Sequence, residues 1–340
     1  MQKLGVGVLG AGNVSTEHIR SYMRNPQAEV VALYSRTRET AEQRAALTGL
    51  SCPIYTDLEK FLQDERIQAV SICTTNDVHA QHTIAAAQAG KHVLIEKPVA
   101  LNLADLHAMD AAVRKAGVRS MVSFVLRRNP QVRMMRRQLD EGAIGDVFMA
   151  EVDYWHSTHR AVPGQWMSQK ARAGSVFLMG GCHAVDAARF LVGQEAVEVS
   201  AYSTKGKGRA YYDYDPTVIA LVRFASGAIG KISATMECEM PYAFNIILMG
   251  DKGTLWDDRI WSHMLAGQTD WARVPTVRPS SGDVAHHPFQ AQIDDFVAAI
   301  LSGTPLQPDL PDAVRTHEVV LAIDRSVAAG GKAVSLPLQA

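Results

Sequence analysis

The chain has 340 residues, enough for two domains that each bury a core. Hydrophobic residues make up 47% and charged residues 20%, the balance of a globular protein rather than a disordered or fibrous one. The net charge of −1 exerts no pull on nucleic acid or an anionic membrane, and no apolar run approaches the roughly 20 residues that cross a bilayer.

Leu4 to Leu9 is an apolar run that reads as a buried parallel strand. It begins with no basic and apolar leader before it. It breaks at Gly10 and Gly12, and a helical pattern covers 13–24. Strand, glycine turn and helix make a cradle for a pyrophosphate. Gly10 permits the tight turn, Gly12 lets the backbone approach the phosphates, and the first helix amides, from Asn13 and Val14 onward, face the negative charge. The third glycine of the G-x-G-x-x-G pattern is Ser15 here. The plain alternative is a glycine turn with no ligand; the flanking strand and helix weigh against it.

The next strand, Ala28 to Tyr34, ends in Ser35-Arg36-Thr37-Arg38. An acid at this corner, roughly twenty residues past the glycines, would accept from the adenosine ribose and select NAD. None is present. Ser35 and Arg36, with Arg38 close by, suit a 2′-phosphate and favour NADP over NAD as the cofactor. The two arginines equally suit solvated charges opening the next helix. Helices are expected at 39–47, 78–89 and 103–116, and strands at 69–73, 92–95 and 119–124. Residues 1–125 thus read as an α/β dinucleotide-binding domain of the Rossmann type, a doubly wound parallel sheet with ligands at the carboxyl ends of its strands.

From residue 126 the pattern changes. A helix at 130–141 stops at Gly142 and Gly145. Alternating runs at 147–156, 197–203, 217–224, 228–235 and 243–250 read as antiparallel strands, with turns at Ser226-Gly227 and Asp251-Lys252-Gly253. Helices are expected at 181–191, 288–301 and 311–329. Residues 126–340 read as an α+β substrate-binding and oligomerisation domain on a large open, mostly antiparallel sheet. An open apolar sheet face needs a cover, so a homodimer or homotetramer through it is expected. The four scattered cysteines, Cys52, Cys73, Cys182 and Cys238, form no C-x-x-C pair, which fits a reducing cytoplasm and argues against a structural zinc knot.

Three strand ends or helix starts carry polar clusters. Thr74, Thr75 and Asn76 follow the strand at 69–73, where they can cap the next helix or face a cofactor. Glu96-Lys97-Pro98 follows the strand at 92–95. Pro98 biases Lys97 toward an extended backbone, and the lysine sits where a nicotinamide would lie; the alternative is a surface lysine paired with Glu96. Gly180-Gly181-Cys182-His183 opens a helix in the second domain, with Asp186 one turn on to orient the imidazole or cap the helix. A lone histidine in such a place is more often structural than chemical.

Gly10-Ala11-Gly12, Thr75-Asn76-x-x-His79, Glu96-Lys97-Pro98 and His183-x-x-Asp186 occur together in this order. Over nearly its whole length the chain resembles the Gfo/Idh/MocA oxidoreductases. The resemblance implies an enzyme that binds NAD or NADP and oxidises or reduces a hydroxyl-bearing carbon of a sugar, inositol or related ring. It implies Lys97 and His183 as catalytic residues, and His79, Glu96 and Arg127, the arginine before Pro130, beside the cofactor. The family's usual aspartate, four residues before the histidine, is Met179 here, which would leave an apolar wall in the substrate site.

Tyr154, Trp155, His156 and His159 end the first long strand of the second domain; Trp166 follows in a polar loop with Gln165, Gln169, Lys170 and Arg172, and His286 and His287 precede a later helix. Aromatic faces with polar ends suit sugar rings, and Tyr154, Trp155, His156, Trp166 and His287 are candidates for substrate contact; core packing is the alternative for each. The histidine spacing fits no metal template, so no metal is expected. The leading expectation is a dehydrogenase or reductase for a sugar or polyol. The second is an enzyme that retains its nicotinamide and cleaves or eliminates through transient oxidation of a ring hydroxyl. The third is a binding protein that uses the fold without chemistry.

Overall fold

The computed structural model describes residues 3–157, 164–207 and 211–339. The chain divides into two compact units, 1–125 with 288–314, and 126–287 with 315–340.

Unit one is built on six parallel strands: β1 (Leu4–Leu9), β2 (Ala28–Tyr34), β3 (Ile54–Tyr55), β4 (Ala69–Ile72), β5 (His92–Ile95) and β6 (Ser120–Val122). Their order is β3-β2-β1-β4-β5-β6. All six residues of β1 are buried, as expected of a strand covered by helices on both faces. The helices α1 (Ser15–Arg24), α2 (Arg38–Thr48), α3 (Leu58–Gln63), α4 (His79–Gln88) and α5 (Leu103–Ala116) make the crossovers. The strand order reverses between β1 and β4, which opens a crevice at the carboxyl ends of these two strands. The short β3 and α3 carry no period long enough to read from sequence.

Residues 288–314, which the sequence places in the second domain, pack in unit one. The helix Phe289–Ser302 buries Ile293, Phe296 and Val297 in the same cluster as Ile19 and Tyr22 of α1. Burying each such side chain stabilises by about 1.5–3 kcal/mol. Beyond that helix the chain returns to the sheet, where the Val122 amide donates to the Pro308 carbonyl at 2.9 Å.

Unit two opens with α6 (Pro130–Asp140) and carries a nine-stranded sheet of β7 (Val147–Trp155), β8 (Ala196–Thr204), β9 (Thr217–Phe224), β10 (Ile229–Thr235), β11 (Ala243–Gly250), β12 (Gly253–Trp256), β13 (Arg259–Ser262), β14 (Ala272–Arg273) and β15 (Val334–Ser335). The order is β14-β13-β12-β11-β7-β10-β9-β8-β15. Neighbours run antiparallel except β7 and β10, which are parallel and far apart in sequence. Along β9 the alternation is complete: Val218, Ala220, Val222 and Phe224 face the core, while Ile219 and Leu221 point outward and are exposed. The π-helical turn at Phe177–Gly181 and α8 (Cys182–Val192) pack on β7 and β10, and α7 (Lys170–Ala173) precedes them in the chain. The helical run 170–192 is long and apolar enough to cross a membrane by length and composition alone, and 83% of its apolar window is buried within the protein, as in a core helix.

Candidate active site

In unit one the site grows from β1. Gly10 has φ 114°, and a Cβ there would stand 2.5 Å from the Cys73 carbonyl oxygen, so only glycine lets β1 turn against the end of β4. Gly12 is different. It is exposed, and a Cβ on it would meet only the Cys73 oxygen at 3.7 Å, so packing within the chain does not require glycine there. An open backbone at that point fits a pyrophosphate laid across the turn. Asn13 is exposed beside it, Val14 is half-buried, and α1 starts at Ser15, whose hydroxyl donates to the Gly12 carbonyl at 2.7 Å.

Arg44 of α2, absent from the sequence-based candidates, reaches back to this turn. Its guanidinium donates to the Ala11 carbonyl at 3.1 Å and to the Thr16 hydroxyl. Burial and then the neighbouring Arg20 push its pKa down, so two like charges lie close together at the phosphate end of the sheet.

At the end of β2, Ser35 is buried and its amide donates to Tyr55 of β3, while Arg36 is exposed. Arg38 lies on α2, near Glu42, and its guanidinium donates to the Ile54 carbonyl at 3.4 Å. At the end of β4, Thr74 and Thr75 are half-buried and Asn76 is buried. The N-cap of α4 is Val78, which makes no side-chain cap bond, and the Thr74 hydroxyl meets His82 Nδ1 at 3.1 Å.

Glu96 and Lys97 follow β5. Glu96 is buried and pairs with His18 of α1 at 2.9 Å; Lys97 is half-buried. Burial works against ionisation of Glu96 most strongly, but the bonds from His18 and Ser123 and the Lys97 ammonium outweigh it and hold the carboxyl below its usual value. His79, expected beside a cofactor, is buried under the same turn. Its Nδ1 donates to the Pro98 carbonyl at 2.7 Å, and its Nε2 faces the Thr74 carbonyl at 3.1 Å. It holds backbone.

In unit two, two glycines bring α8 down onto the sheet. A Cβ on Gly180 would stand 2.4 Å from the Tyr154 ring, and one on Gly181 2.7 Å from the Ala234 methyl. This close approach lays the His183 ring over Tyr154, with centroids 6.0 Å apart and planes 26° from parallel. His183 is 2% exposed. The His287 ring meets it edge-on at 6.5 Å, and His287 Nε2 donates to the Ser281 carbonyl at 3.2 Å. His156 lies edge-on to Tyr154 at 6.3 Å, and Tyr242, another residue the sequence did not single out, stands edge-on to both. Met179 sits in the π-helical turn, partly exposed; such turns inside helices recur at functional sites.

The other candidates lie in unit two. Trp155 alternates to the opposite face of β7 from Tyr154, where its indole donates to Ser233 at 2.8 Å. Trp166 is half-buried in a short 3₁₀ turn in unit two. His286 is exposed. His159 lies outside the described residues. Arg127 belongs to unit two and is buried in a two-bond ion pair with Asp186, at 2.7 and 2.6 Å, with Phe190 under its guanidinium at 4.9 Å. The pairing gives the aspartate one turn past His183 a structural partner, and α8 takes no side-chain cap. Among the described residues no group of three or more histidine, cysteine, aspartate or glutamate side chains is arranged to hold a metal ion.

Residues 4–124 match the family described as an oxidoreductase family with an NAD-binding Rossmann fold, and residues 132–256 match the Gfo/Idh/MocA C-terminal domain. Levoglucosan dehydrogenase of Pseudarthrobacter phenanthrenivorans is 32% identical over 69% of this chain and 68% of its own length. Inositol 2-dehydrogenase of Rhizobium meliloti is 30% identical over 95% of this chain and 96% of its own. Among solved structures, a levoglucosan dehydrogenase in complex with NADH superposes with a TM-score of 0.89 at 26% identity, over 99% of this chain and all of that one. The glycine turn on a reversed parallel sheet, with these matches, defines an NAD-binding oxidoreductase. The chain belongs to the Gfo/Idh/MocA family.

Proposed function

We propose that this protein oxidises a ring hydroxyl of a sugar, inositol or related polyol, or reduces the corresponding ketone, with Lys97 and His183 as the groups that handle the hydroxyl and its proton. The relatives named for inositol and levoglucosan support the substrate class. The observation that carries the reading is His183 itself: a buried imidazole laid flat on a tyrosine, with a second imidazole at its edge.

A bound nicotinamide supplies the hydride acceptor or donor. The protein's own groups do the rest. The Lys97 ammonium stabilises the charge that develops on the hydroxyl oxygen. His183 accepts the hydroxyl proton in oxidation and returns it in reduction. Tyr154, His156, Trp166, Met179 and His287 line the substrate, where aromatic faces suit C–H surfaces and imidazole edges suit hydroxyls. Met179 stands at the family's aspartate position, so the oxygen is gripped by Lys97 and the proton handled by His183.

Gly10, Gly12, Asn13 and Val14 hold the pyrophosphate, and Thr74, Thr75 and Asn76 flank the nicotinamide end. Ser35 and Arg36 take the adenosine end and favour NADP through its 2′-phosphate. Arg36→Ala is expected to weaken NADPH binding about 10-fold and NADH binding far less. Equal affinities before and after the change would remove NADP preference from the account.

The four cysteines, scattered along the chain with no C-x-x-C pair, fit a protein acting in the cytoplasm. The exposed outer face of the nine-stranded sheet, with Tyr202, Ile219, Leu221 and Ile229, takes a second copy of this chain. Leu221→Lys is expected to dissociate that assembly in light scattering; an unchanged mass would exclude this face.

The test of the activity is a screen of sugars and cyclitols with NAD and NADP, following the absorbance of the reduced ring. A polyol that yields its ketone with stoichiometric cofactor reduction supports the reading. A product that has lost a cleaved group while the cofactor returns unchanged points to transient oxidation instead.

A further inference from the structure

Glu96 is the sink of a buried chain of hydrogen-bond donors. His18 Nε2 faces Glu96 Oε1 at 2.9 Å and therefore carries the ring proton. His18 Nδ1 is then the acceptor for the Ser71 hydroxyl at 3.1 Å, and Ser71 accepts in turn from the Tyr22 hydroxyl at 2.9 Å. From the other side the Gln292 amide donates to the Ser123 hydroxyl at 2.9 Å, and Ser123 bonds to Glu96. In this one orientation each donor finds an acceptor and each bond points toward the carboxylate. The second oxygen of Glu96 accepts from the Lys97 backbone amide at 3.3 Å. The His18 side chain is fully buried and that of Glu96 is 7% exposed.

We propose that His18 is a positioning residue for Lys97. Its imidazole, fixed by Ser71, holds the Glu96 carboxylate, and Glu96 holds the backbone of the lysine turn; His79 holds the same turn from its far flank through the Pro98 carbonyl. His18 lies on α1, the helix that begins at the glycine turn, so one rigid element sets both the phosphate cradle and the lysine. Buried polar groups cost free energy unless they are satisfied, and the bonds running from Tyr22 through Ser71 and His18 to Glu96 favour one arrangement of these four residues. The proposal rests on Lys97 acting in the chemistry, and it explains why a histidine stands on the inward face of α1 and a serine in the middle of β4.

The test has two readouts, one independent of turnover. Competitive acylation with acetic anhydride, read by peptide mass spectrometry, measures the reactivity of the Lys97 amine against that of exposed Lys60. His18→Leu and Glu96→Gln are both expected to change that ratio by about 3-fold or more, because the turn carrying the amine shifts. With the polyol that the screen selects, kcat is expected to fall by about 10- to 100-fold while the NADH dissociation constant, followed by fluorescence, moves less than about 3-fold. His18→Gln, whose amide still donates to Glu96, is expected to lose less than His18→Leu. Should His18→Leu fail to fold, Glu96→Gln, which keeps the size of the side chain and removes its charge, decides the matter. A parental Lys97 labelling ratio in a folded Glu96→Gln variant would overturn the proposal, and so would a loss of NADH affinity in step with kcat. Full turnover in Lys97→Ala would instead sink the catalytic reading and leave the labelling result standing.

Discussion

The imidazole of His183 lies stacked on the ring of Tyr154, their centroids 6.0 Å apart. The stack sets the plane of the histidine against a buried ring that Tyr242 and Phe244 hold edge-on. Burial pushes the Tyr154 phenol far above its ordinary range, so it serves as a neutral platform. Tyr154→Leu is expected to lower kcat about 10-fold or more, and Tyr154→Phe, which keeps the ring, to cost less. Equal losses in the two variants would assign the role to the hydroxyl.

Gly180 sets that stack. Gly180→Ala would place a methyl carbon 2.4 Å from the Tyr154 ring and 2.5 Å from the Met236 methyl. The methionine can move, but the ring is held by Tyr242 and Phe244. A loss of about 1–3 kcal/mol in denaturant unfolding is expected, together with a fall in kcat. A variant as stable and as active as the parent would show that α8 can lift from the sheet without cost.

The Arg127–Asp186 pair is a second structural device close in sequence to His183. Arg127→Met strands a buried carboxylate and is expected to destabilise by about 3–5 kcal/mol. Joining it to Asp186→Leu is expected to restore most of that loss, since two apolar side chains replace two charges. If the double variant were no more stable than the single one, packing rather than charge would dominate the pair.

The acid response of unit one follows from its buried histidines. His82 is pushed down to about 4, first by burial and then by His79. Burial pushes His79 down as well. Each is therefore lower in the folded chain than the ordinary value of 6.5, so the unfolded chain takes up protons first as pH falls. The stability tied to the neutral rings is complete above about pH 6.5 and lost as pH falls toward 4. Glu96 acts in the same direction further down, its carboxylate stabilising the fold above the ordinary value of 4.5 and ceasing to do so below it. His82→Gln is expected to flatten the fall in urea-unfolding stability between neutral pH and about pH 4 by on the order of 2–3 kcal/mol. A parental slope in that variant would place the acid sensitivity elsewhere.

Much of this was legible in the sequence because the periodic segments are long. The apolar run of β1, the alternation of β9 and the helix Leu103–Ala116 each carry enough repeats to fix their type and ends. The membership of 288–314 in unit one was not legible, because the partners of Phe296 are Ile19 and Tyr22, far away along the chain. The same limit hid the pairing of Arg127 with Asp186, which lies 59 residues on. Trp155 follows from alternation: next to Tyr154 on a strand, it must face the other way. The His18 network did leave a trace. A histidine three residues after Ser15 on the face shared with Ile19 and Tyr22, and a serine inside the apolar β4, are polar groups in places that must be buried, and each calls for a partner.

Lys97 and His183 are proposed to act on one hydroxyl. The most direct test is the rate of cofactor reduction by the best polyol in Lys97→Ala and in His183→Ala, beside NADH binding to each variant. Turnover is expected to fall by at least about 100-fold in both, with the dinucleotide still bound. Parental turnover in either variant would contradict the assignment.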